Sequence, residues 1–464
     1  MILQCMPNLG SRAITDATVP DYLHVTKRFG VIAASQLPIH YMLSMKSLYS
    51  PLAFVFRSSH EQLNHWHRLL GRIIYFFLLL HATWYLNFFV QAGILYQRLT
   101  ATVVIIGIVA FSLINVIATT ALETVRRWSY RVFFVLHLLI GVTLMPLLFF
   151  HAKPLRIYTC EALTLFIFDI VCRNLDTVTG FATVTSIPHT KLLQLKIPVP
   201  LSKIERFRAA PGQHVYLSIP PESTPAKNPA SIHQLLFNPF TIADVSGNSI
   251  TLVLRALHGP TTKAISTLAN LRKAKPPINI EGPYGSSRRF PHLPSKYDRI
   301  LLVAGGVGAT FILPIYKDLR EQMDAEAISP DRLTFTWSMR SGAEASWATE
   351  LETEEVDSLE NDENVKIYIT GSSLRDRVFD PEDGSVELDE LQDKEEEGWI
   401  KANGGKERPD LRRIVDEVFR TGSEERVAVL VCGPVGMARE LRKQVGKWVG
   451  KGREVWFHDE SFGW

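Results

Sequence analysis

The sequence predicts a multi-domain fold in which a transmembrane α-helical bundle is followed by an antiparallel β-barrel and then by an α/β domain. Apolar, aromatic-rich runs crowd the first 175 of the 464 residues, whereas most acidic residues lie after residue 200. Short alternating segments punctuated by Pro and Gly begin at about residue 180, and such alternation is typical of half-buried strands. Near residue 300 a fully apolar strand runs into a glycine turn and a helix, which is typical of α/β sheets.

Five segments are long and apolar enough to cross a bilayer, which takes about 20 residues. The first is the weakest because it contains Pro38 and His40. We therefore predict a helical membrane domain at 29–175 after an N-terminal tail at 1–28. The five predicted spans are 29–48, 66–90, 100–122, 130–150 and 155–171.

Basic residues flanking these spans give the orientation, because cytoplasmic loops carry an excess of Lys and Arg. The richer side holds Lys46, Arg57, Arg68, Arg72, Arg126, Arg127, Arg131 and Arg173, and the poorer side holds Arg98, Lys153 and Arg156. We therefore expect a multi-pass protein, in the simplest case of the plasma membrane, with its C-terminal half in the cytosol. Basic residues are not interleaved with aromatics in a stripe, so nucleic acid is not an expected partner. The sequence leaves the oligomeric state open.

The second half of the chain predicts two soluble domains. Alternating segments at 192–197, 214–219 and 250–256 predict an antiparallel barrel that ends near Gly285, in a domain at 180–295. The apolar strand 299–304, the helix 310–320 and later strands at 333–337, 365–370 and 427–432 predict an α/β domain at 296–464. Two acidic clusters within 344–405 indicate a solvated loop or insertion.

Two pairs of histidines carry the strongest chemical signal in the membrane domain. His67 and His81 are fourteen residues apart, as are His137 and His151, and fourteen residues make nearly four helical turns of roughly 21 Å in total. One span separates the two helices, so they run parallel. His67 then lies level with His137 near the cytosol (the inner pair), and His81 lies level with His151 near the far side (the outer pair). Each pair could hold a haem iron.

Core or interfacial roles are the alternative for these histidines, but ionisable groups inside a membrane are costly and usually functional. Two matched pairs on parallel spans favour the haem interpretation. His40, His60 and His65 have no partner at this spacing, so structural or interfacial roles are predicted for them.

The barrel domain contains residues suited to a flavin. Asn238, Pro239, Phe240 and Thr241 lie between candidate strands, where an aromatic side chain could pack on an isoalloxazine ring and a hydroxyl could bond to it. A Pro-containing turn is the alternative. The run 255–262 offers a cation, a glycine and hydroxyls that could cradle a diphosphate, namely Arg255, Gly259 and Thr262.

The α/β domain contains a glycine turn suited to a nucleotide. Gly305, Gly306, Gly308 and Thr310 leave an apolar strand and open a helix, so backbone N–H groups at the helix N-terminus could bind phosphate. A purely structural turn is the alternative, because the spacing is not a full G-x-G-x-x-G. Cys432, Gly433 and Pro434 end another apolar strand, where sites in α/β sheets form.

Together these motifs resemble the ferric reductase and NADPH oxidase superfamily, most closely the fungal ferric-chelate reductases, over about residues 29–464. The matching features are H-R-x-x-G-R at 67–72, the four histidines, N-P-F-T at 238–241, E-G-P-Y-G at 281–285, G-G-V-G-A-T at 305–310, C-G-P-V-G-M at 432–437 and the terminal E-S-F-G-W. The resemblance implies an oxidoreductase in iron transport and metal ion homeostasis. In that family NADPH reduces FAD, and electrons then cross two b haems to a ferric or cupric chelate.

The resemblance also implies roles for individual residues. Phe240 and Thr241 would contact the flavin, Arg340 would bind the 2′-phosphate of NADPH, and Cys432 would flank the nicotinamide together with Phe462 and Trp464. The flavin phosphates would be held by Arg255, Gly259 and Thr262, and the nucleotide phosphates by Gly306, Gly308 and Thr310.

Two departures from the family pattern keep alternatives open. Asn238 stands where the family usually has His, which predicts weaker FAD binding. The family also usually has at least one more span before residue 29, so a naturally short protein or a truncated gene product is expected here. The alternatives are an NADPH oxidase that produces superoxide and a degenerate, non-catalytic haem protein of the membrane.

Overall fold

The structure is a computed structural model that describes residues 19–220, 223, 237–257, 259–270, 275–285, 287–349, 359, 362–371, 408–420, 422 and 424–460. The chain forms two compact units that divide between Leu175 and Asp176. The first is entirely helical within the described residues, and the second contains two β-sheets.

Nine α-helices form the described part of the first unit. They are α1 (Val19–Ser35), α2 (Leu37–Ser44), α3 (Pro51–Val55), α4 (His60–Gln91), α5 (Leu95–Leu99), α6 (Thr102–Thr120), α7 (Glu123–Trp128), α8 (Tyr130–His151) and α9 (Arg156–Asp176). Among the described residues, α4, α6 and α8 are long and apolar enough to cross a membrane. Large apolar side chains such as Phe76, Val103 and Leu139 are exposed on these helices, as expected of surfaces that face lipid.

The first predicted span is wrong as a single helix. The chain breaks at Gln36 between α1 and α2, and Pro38 lies in the first turn of α2, where its missing N–H and fixed φ are tolerated. The predicted tail is also too long, because α1 begins at Val19. The Tyr22 hydroxyl in α1 donates to the Trp84 carbonyl of α4 at 3.1 Å. Residues 1–18 lie outside the described part of the chain.

The fifth predicted span is a helix, α9, but it does not belong to the three long apolar helices because Glu161, Asp169 and Arg173 interrupt it. Asp169 is buried, and its Oδ1 accepts hydrogen bonds from the backbone N–H groups of Lys46 and Ser47 at 3.0 and 2.8 Å. A carboxylate of α9 therefore holds the chain that leaves α2.

The second unit begins with a seven-stranded, nearly closed antiparallel sheet, which confirms the predicted barrel. Its strands are β1 (Val178–Phe181), β2 (Thr183–Ser186), β3 (Leu192–Pro198), β4 (His214–Ser218), β5 (Asn238–Ser246), β6 (Ser249–Arg255) and β7 (Pro277–Tyr284). The strand order is β1-β7-β4-β5-β6-β3-β2. Fully buried Leu195, Ile250 and Leu252 lie in its core. Two helices accompany this sheet, α10 (Leu201–Arg208) and α11 (Pro260–Asn270).

A five-stranded parallel sheet follows and confirms the predicted α/β domain. Its strands are β8 (Arg299–Gly305), β9 (Leu333–Met339), β10 (Val365–Ile369), β11 (Val427–Cys432) and β12 (Val455–Glu460), in the order β10-β9-β8-β11-β12. The helices are α12 (Leu293–Lys296), α13 (Ala309–Ala325), α14 (Ser346–Thr349), α15 (Leu411–Arg420) and α16 (Val435–Val449). Most of the predicted acidic insertion lies outside the described residues. The carboxyl ends of β8, β9 and β11 meet at one edge, where such sheets form their sites.

Candidate functional site

The structure brings the four membrane histidines together in the predicted pairs. The ring centroids of His67 and His137 are 6.1 Å apart, with the planes at 62°. Those of His81 and His151 are 6.4 Å apart, with the planes at 78°. Because both pairs join α4 to α8 in the same order along the chain, the two helices run parallel, as the spacing predicts.

Backbone carbonyls of neighbouring helices orient both histidines of the outer pair. His81 Nδ1 lies 2.8 Å from the Thr26 carbonyl oxygen of α1, and His151 Nδ1 lies 3.0 Å from the Val103 carbonyl oxygen of α6. A carbonyl only accepts, so Nδ1 carries the proton in each ring. The Nε2 lone pair is then available to a metal, which is the usual arrangement of metal-binding histidines.

A glycine one turn beyond each of these carbonyls makes room for the ring. An added Cβ at Gly30 would lie 2.9 Å from His81 Cε1, and one at Gly107 would lie 2.8 Å from His151 Cε1. Each outer histidine therefore lies in a notch formed by a carbonyl at position i and a glycine at position i+4. The sequence carried a signal for these notches, because glycine inside a helix costs about 1 kcal/mol relative to alanine and indicates a packing requirement.

The inner pair is held differently. His67 Nδ1 lies 3.0 Å from the His40 carbonyl oxygen of α2, and the imidazole of His40 stacks on that of His67 with centroids 3.9 Å apart and planes at 14°. His137 Nδ1 is buried and makes no hydrogen bond to the described residues. Sequence spacing assigned His40 to neither pair, because its partner lies on another helix rather than at a helical interval.

Both pairs have the separation that a shared metal ion requires. A metal bonded at about 2 Å to one nitrogen of each ring, with about 1 Å more to each ring centre, separates the centres by roughly 6 Å. Within the described residues, no group of three or more His, Cys, Asp or Glu side chains is arranged to hold a metal ion. Each pair therefore presents two imidazoles at a spacing that suits one shared metal ion.

The predicted flavin residues begin strand β5, so the alternative of a Pro-containing turn is wrong. Thr241 pairs with His214 of β4 and is buried, while Phe240 packs partly against the barrel core. Asn238 Nδ2 donates to the Thr261 hydroxyl at 2.7 Å. Because Thr261 lies in the first turn of α11, this bond ties the start of β5 to a helix N-terminus.

Two of the predicted phosphate residues lie at that same helix N-terminus. The Thr262 hydroxyl donates to the Leu257 carbonyl at 2.7 Å and is 3.1 Å from the Gly259 carbonyl oxygen. These bonds fix the loop that enters α11. Unpaired N–H groups and the dipole at a helix N-terminus favour anions, so this loop suits a phosphate.

Arg255 ends β6 and lies at the glycine turn of the α/β domain. Its guanidinium pairs with the Glu344 carboxylate at 2.9 Å, and an added Cβ at Gly306 would lie 3.3 Å from Arg255 Nη2. Glu344 is buried, and its other oxygen accepts from the backbone N–H of Arg340 at 3.4 Å. Sequence patterns place Glu344 in an acidic insertion and do not reveal this role, because the pairing joins residues 89 positions apart.

The glycine turn forms the predicted strand–turn–helix between β8 and α13. Gly306 has a φ of +54°, a conformation that glycine adopts without strain. An added Cβ at Gly308 would lie 2.2 Å from the Cys432 carbonyl oxygen, and one at Gly305 would lie 2.6 Å from Pro434 Cδ. The two glycine motifs therefore pack against each other at the carboxyl ends of β8 and β11.

Thr310 faces into this turn. Its side chain is 2% exposed, and its hydroxyl donates to the Val307 carbonyl at 2.9 Å. The hydroxyl thus closes the turn internally, so phosphate contact by this side chain stays a prediction.

Cys432 lies at the end of β11, fully buried and level with Glu460 of β12. Burial raises the pKa of its thiol far above the usual range, and the carboxylates of Glu460 and Asp459 raise it further. The thiol is therefore neutral at physiological pH. Arg340 follows β9 with an exposed side chain, while Phe462 and Trp464 lie outside the described residues.

Three family models match the chain in the order of these structural parts. They are the ferric reductase like transmembrane component over residues 29–149, an FAD-binding domain over 181–288 and the ferric reductase NAD binding domain over 297–446. The chain is therefore similar to ferric reductases, whose parts match it in the same order along the sequence. The first unit thus matches the transmembrane component, and the two sheets match the FAD-binding and NAD-binding domains.

The curated relatives of this chain include fungal reductases and one oxidase. Ferric reductase transmembrane component 1 of Schizosaccharomyces pombe is 24% identical, covering 91% of this chain and 76% of the relative. Ferric/cupric reductase transmembrane component 2 of the same organism is 23% identical and covers 94% and 80%. A superoxide-generating NADPH oxidase heavy chain of Dictyostelium discoideum is 24% identical but covers only 56% and 38%. These matches confirm the resemblance drawn from the motifs.

Proposed function

We propose that this protein is a transmembrane ferric-chelate reductase that moves electrons from cytosolic NADPH through FAD and two b haems to ferric or cupric ions on the opposite side. The observation that carries the proposal is the pair of two-histidine sites on α4 and α8. The names of the two fungal relatives, a ferric and a ferric/cupric reductase, support iron or copper chelates as substrates.

The histidine sites fit haem iron in spacing and in tautomer. His67 and His137 would hold the inner haem, and His81 and His151 the outer one, with ring separations of 6.1 and 6.4 Å. Bound haem supplies one-electron chemistry, which the side chains of this unit do not. The carbonyls on Nδ1 of His67, His81 and His151 keep Nε2 unprotonated and fixed in direction.

The second unit would bind and orient the two nucleotides. Phe240 and Thr241 of β5 would contact the flavin, and the N-terminus of α11 with Gly259 and Thr262 would take the flavin phosphates. FAD is the cofactor that connects a two-electron donor to one-electron acceptors. Asn238 is held by the hydrogen bond that its neutral amide donates to the Thr261 hydroxyl, so it would contribute no charge to flavin binding.

NADPH would bind at the carboxyl edge of the parallel sheet. The glycine turn at Gly306 and Gly308 would bind the nucleotide phosphates through its backbone N–H groups, and the exposed Arg340 at the end of β9 would offer a cation to the 2′-phosphate. Cys432 would pack against the nicotinamide as a neutral surface, because its thiol stays protonated. Gly433 and Pro434 complete this edge at the start of α16.

The orientation follows from the basic residues of the loops, which favour the cytosol for the soluble unit. The inner pair would then receive electrons from the flavin side and the outer pair would deliver them outward. The expected location is the plasma membrane, where chelates outside the cell would be reduced.

Haem spectra of purified protein test the two histidine sites. We expect His67→Ala and His151→Ala each to remove one haem from the reduced-minus-oxidised spectrum, and the haem lost to differ between them. His65→Ala is the matched control, since His65 lies on the same helix as His67 with its side chain exposed. Retention of both haems in the two ligand variants would contradict the pairing.

Turnover assays distinguish a metal chelate from oxygen as the electron acceptor. Purified protein given NADPH is expected to reduce ferric or cupric chelate at a similar rate with and without oxygen. The relative from Dictyostelium discoideum motivates oxygen reduction as the second candidate, and superoxide as the dominant product would establish it instead. A protein whose haem is not reduced by NADPH would be the non-catalytic alternative.

A further inference from the structure

His40 contacts the inner ligand His67 twice. Its backbone carbonyl accepts the Nδ1–H of His67 at 3.0 Å, and its imidazole lies nearly parallel to that of His67 at a centroid distance of 3.9 Å. One residue of α2 thus fixes both the tautomer and the plane of a histidine on α4.

Helix α2 is built to hold this imidazole in place. An added Cβ at Gly71, one turn beyond His67, would lie 3.1 Å from His40 Cε1, so the absence of a side chain there admits the His40 ring. The neighbouring Tyr41 hydroxyl donates to the Gly141 carbonyl of α8 at 2.8 Å. This bond anchors α2 to the helix that carries the other inner ligand.

Among the described residues, the outer ligands have no counterpart of this stacked ring. His81 and His151 are each held by a carbonyl and a glycine, and the aromatic ring that contacts His81 from its own helix, Tyr85, lies edge-on at 74°. In the inner site, the imidazole of His40 occupies the face of His67, a contact that restricts rotation of the ligand ring. The orientation of an axial imidazole is one of the means by which a protein tunes a bound haem.

We propose that His40 is a positioning residue for His67, which uses its ring to fix the imidazole plane of the inner ligand and thereby sets the electronic properties of the inner haem. This role rests on the proposed haem sites. It predicts that the inner haem, but not the outer, responds to the side chain at position 40.

The test compares His40→Ala with His40→Phe in the full-length, haem-loaded protein. His40→Ala keeps the carbonyl but removes the ring, so we expect a shifted or broadened low-spin electron paramagnetic resonance signal and a shifted midpoint potential for one haem. That haem is identified as the inner one by its loss in His67→Ala. His40→Phe restores a flat ring without a nitrogen and is expected to return both values toward those of the wild type. Ile39→Ala, at an exposed neighbour on α2, is expected to change neither.

Identical signals and potentials in His40→Ala and the wild type would overturn the positioning role. Loss of the inner haem in both His40→Ala and His40→Phe would overturn it too, because the imidazole of His40 would then be required for haem binding itself and not for the orientation of His67. Failure of the haem proposal itself is distinguishable, because the wild type would then show no bis-histidine signal at all.

Discussion

The transmembrane unit and the NAD-binding domain both place glycines at their sites, but the atoms that these glycines accommodate differ. In the transmembrane unit an added Cβ would meet an imidazole ring, at 2.9 Å for Gly30 and 2.8 Å for Gly107. At two glycines of the NAD-binding domain, Gly308 and Gly371, it would instead meet backbone at 2.2 Å, where the atoms are the carbonyl oxygens of Cys432 and Arg340.

This difference shows how each unit holds its site together. A ring can turn about its side-chain bonds, so the helical sites have some freedom to accommodate a small addition. A carbonyl at the end of a central strand is fixed by the sheet on either side, and interiors packed this closely transmit any displacement. We therefore expect equal substitutions to damage the NAD-binding domain more than the histidine sites.

Gly308→Ala is expected to have the largest effect. The added Cβ would collide with the Cys432 carbonyl oxygen, so β8 and β11 must separate or α13 must shift. Overpacking typically destabilises a fold by about 1–3 kcal/mol. We expect a value near the upper end of that range, because the colliding atom belongs to the backbone. We expect loss of NADPH binding and a lower unfolding temperature, measured by titration and by thermal unfolding.

Gly446→Ala is the matched control for this substitution. No heavy atom of the described residues lies within 4 Å of its added Cβ in α16, and alanine in a helix interior is more stable than glycine by roughly 0.5–1 kcal/mol. An equal loss of nucleotide binding in both variants would show that the collision with the Cys432 carbonyl is not the cause, and the contrast between the two units would fail.

Gly107→Ala is expected to have a smaller effect, confined to the outer haem. The ring of His151 must move away from the added Cβ, which weakens its hydrogen bond to the Val103 carbonyl. We expect both haems to remain bound, with an altered signal from the outer one in reduced-minus-oxidised and electron paramagnetic resonance spectra.

Gly141→Ala serves as the control on α8, because its added Cβ would make an ordinary contact of 3.6 Å with the Tyr41 hydroxyl. Complete loss of the outer haem in Gly107→Ala would show that the helical site is as rigid as the sheet.

Sequence patterns predicted the features that depend on residue spacing within a single helix or strand. The fourteen-residue spacing placed His67 and His81 on one helix and His137 and His151 on another, and the apolar strand before Gly305 predicted the turn and α13. The antiparallel and parallel sheets followed for the same reason, since alternating and continuous apolar runs reflect burial on one or two faces.

Contacts between elements distant in the chain could not be predicted in this way. The carbonyls of Thr26 and Val103, the ring of His40 and the carboxylate of Glu344 reach their partners across 27 to 89 residues. Every residue has a carbonyl, so no residue type marks one that orients a ligand. The helix break at Gln36 was not predicted either, because Pro38 is compatible both with a weak membrane span and with the first turn of a new helix.

The ion pair between Arg255 and Glu344 provides a third kind of contact, held by charge rather than by close packing. If Arg255 binds a flavin phosphate, Glu344 competes with it. Glu344→Gln is then expected to tighten FAD binding about fivefold, equivalent to about 1 kcal/mol for one partly exposed pair. Arg255→Ala is expected to weaken binding about tenfold or more, because it removes a charge-assisted hydrogen bond.

Fluorescence titration of the flavin-depleted protein with FAD measures both effects. Weaker binding in Glu344→Gln would mean that the ion pair maintains the site rather than competing for it. Arg255 would then contribute to binding by stabilising the glycine turn of the NAD-binding domain, and not by contacting the phosphate.

The smallest effect concerns the thiol of Cys432, which tests how well the packed edge of the sheet excludes water. Burial raises its pKa well above the value of about 8.5 for a free thiol. The neutral thiol therefore stabilises the folded state fully below about pH 8.5, and this contribution is lost as the pH rises, because the unfolded chain ionises first.

Alkylation followed residue by residue by mass spectrometry is expected to be slow at pH 8. Its rate should still rise at pH 10, where a free thiol has reached its plateau. Rapid modification at pH 8 in the native protein would show that this edge opens readily. The contrast drawn between a fixed backbone site and adaptable helical sites would then fail in the domain where it is expected to be strongest.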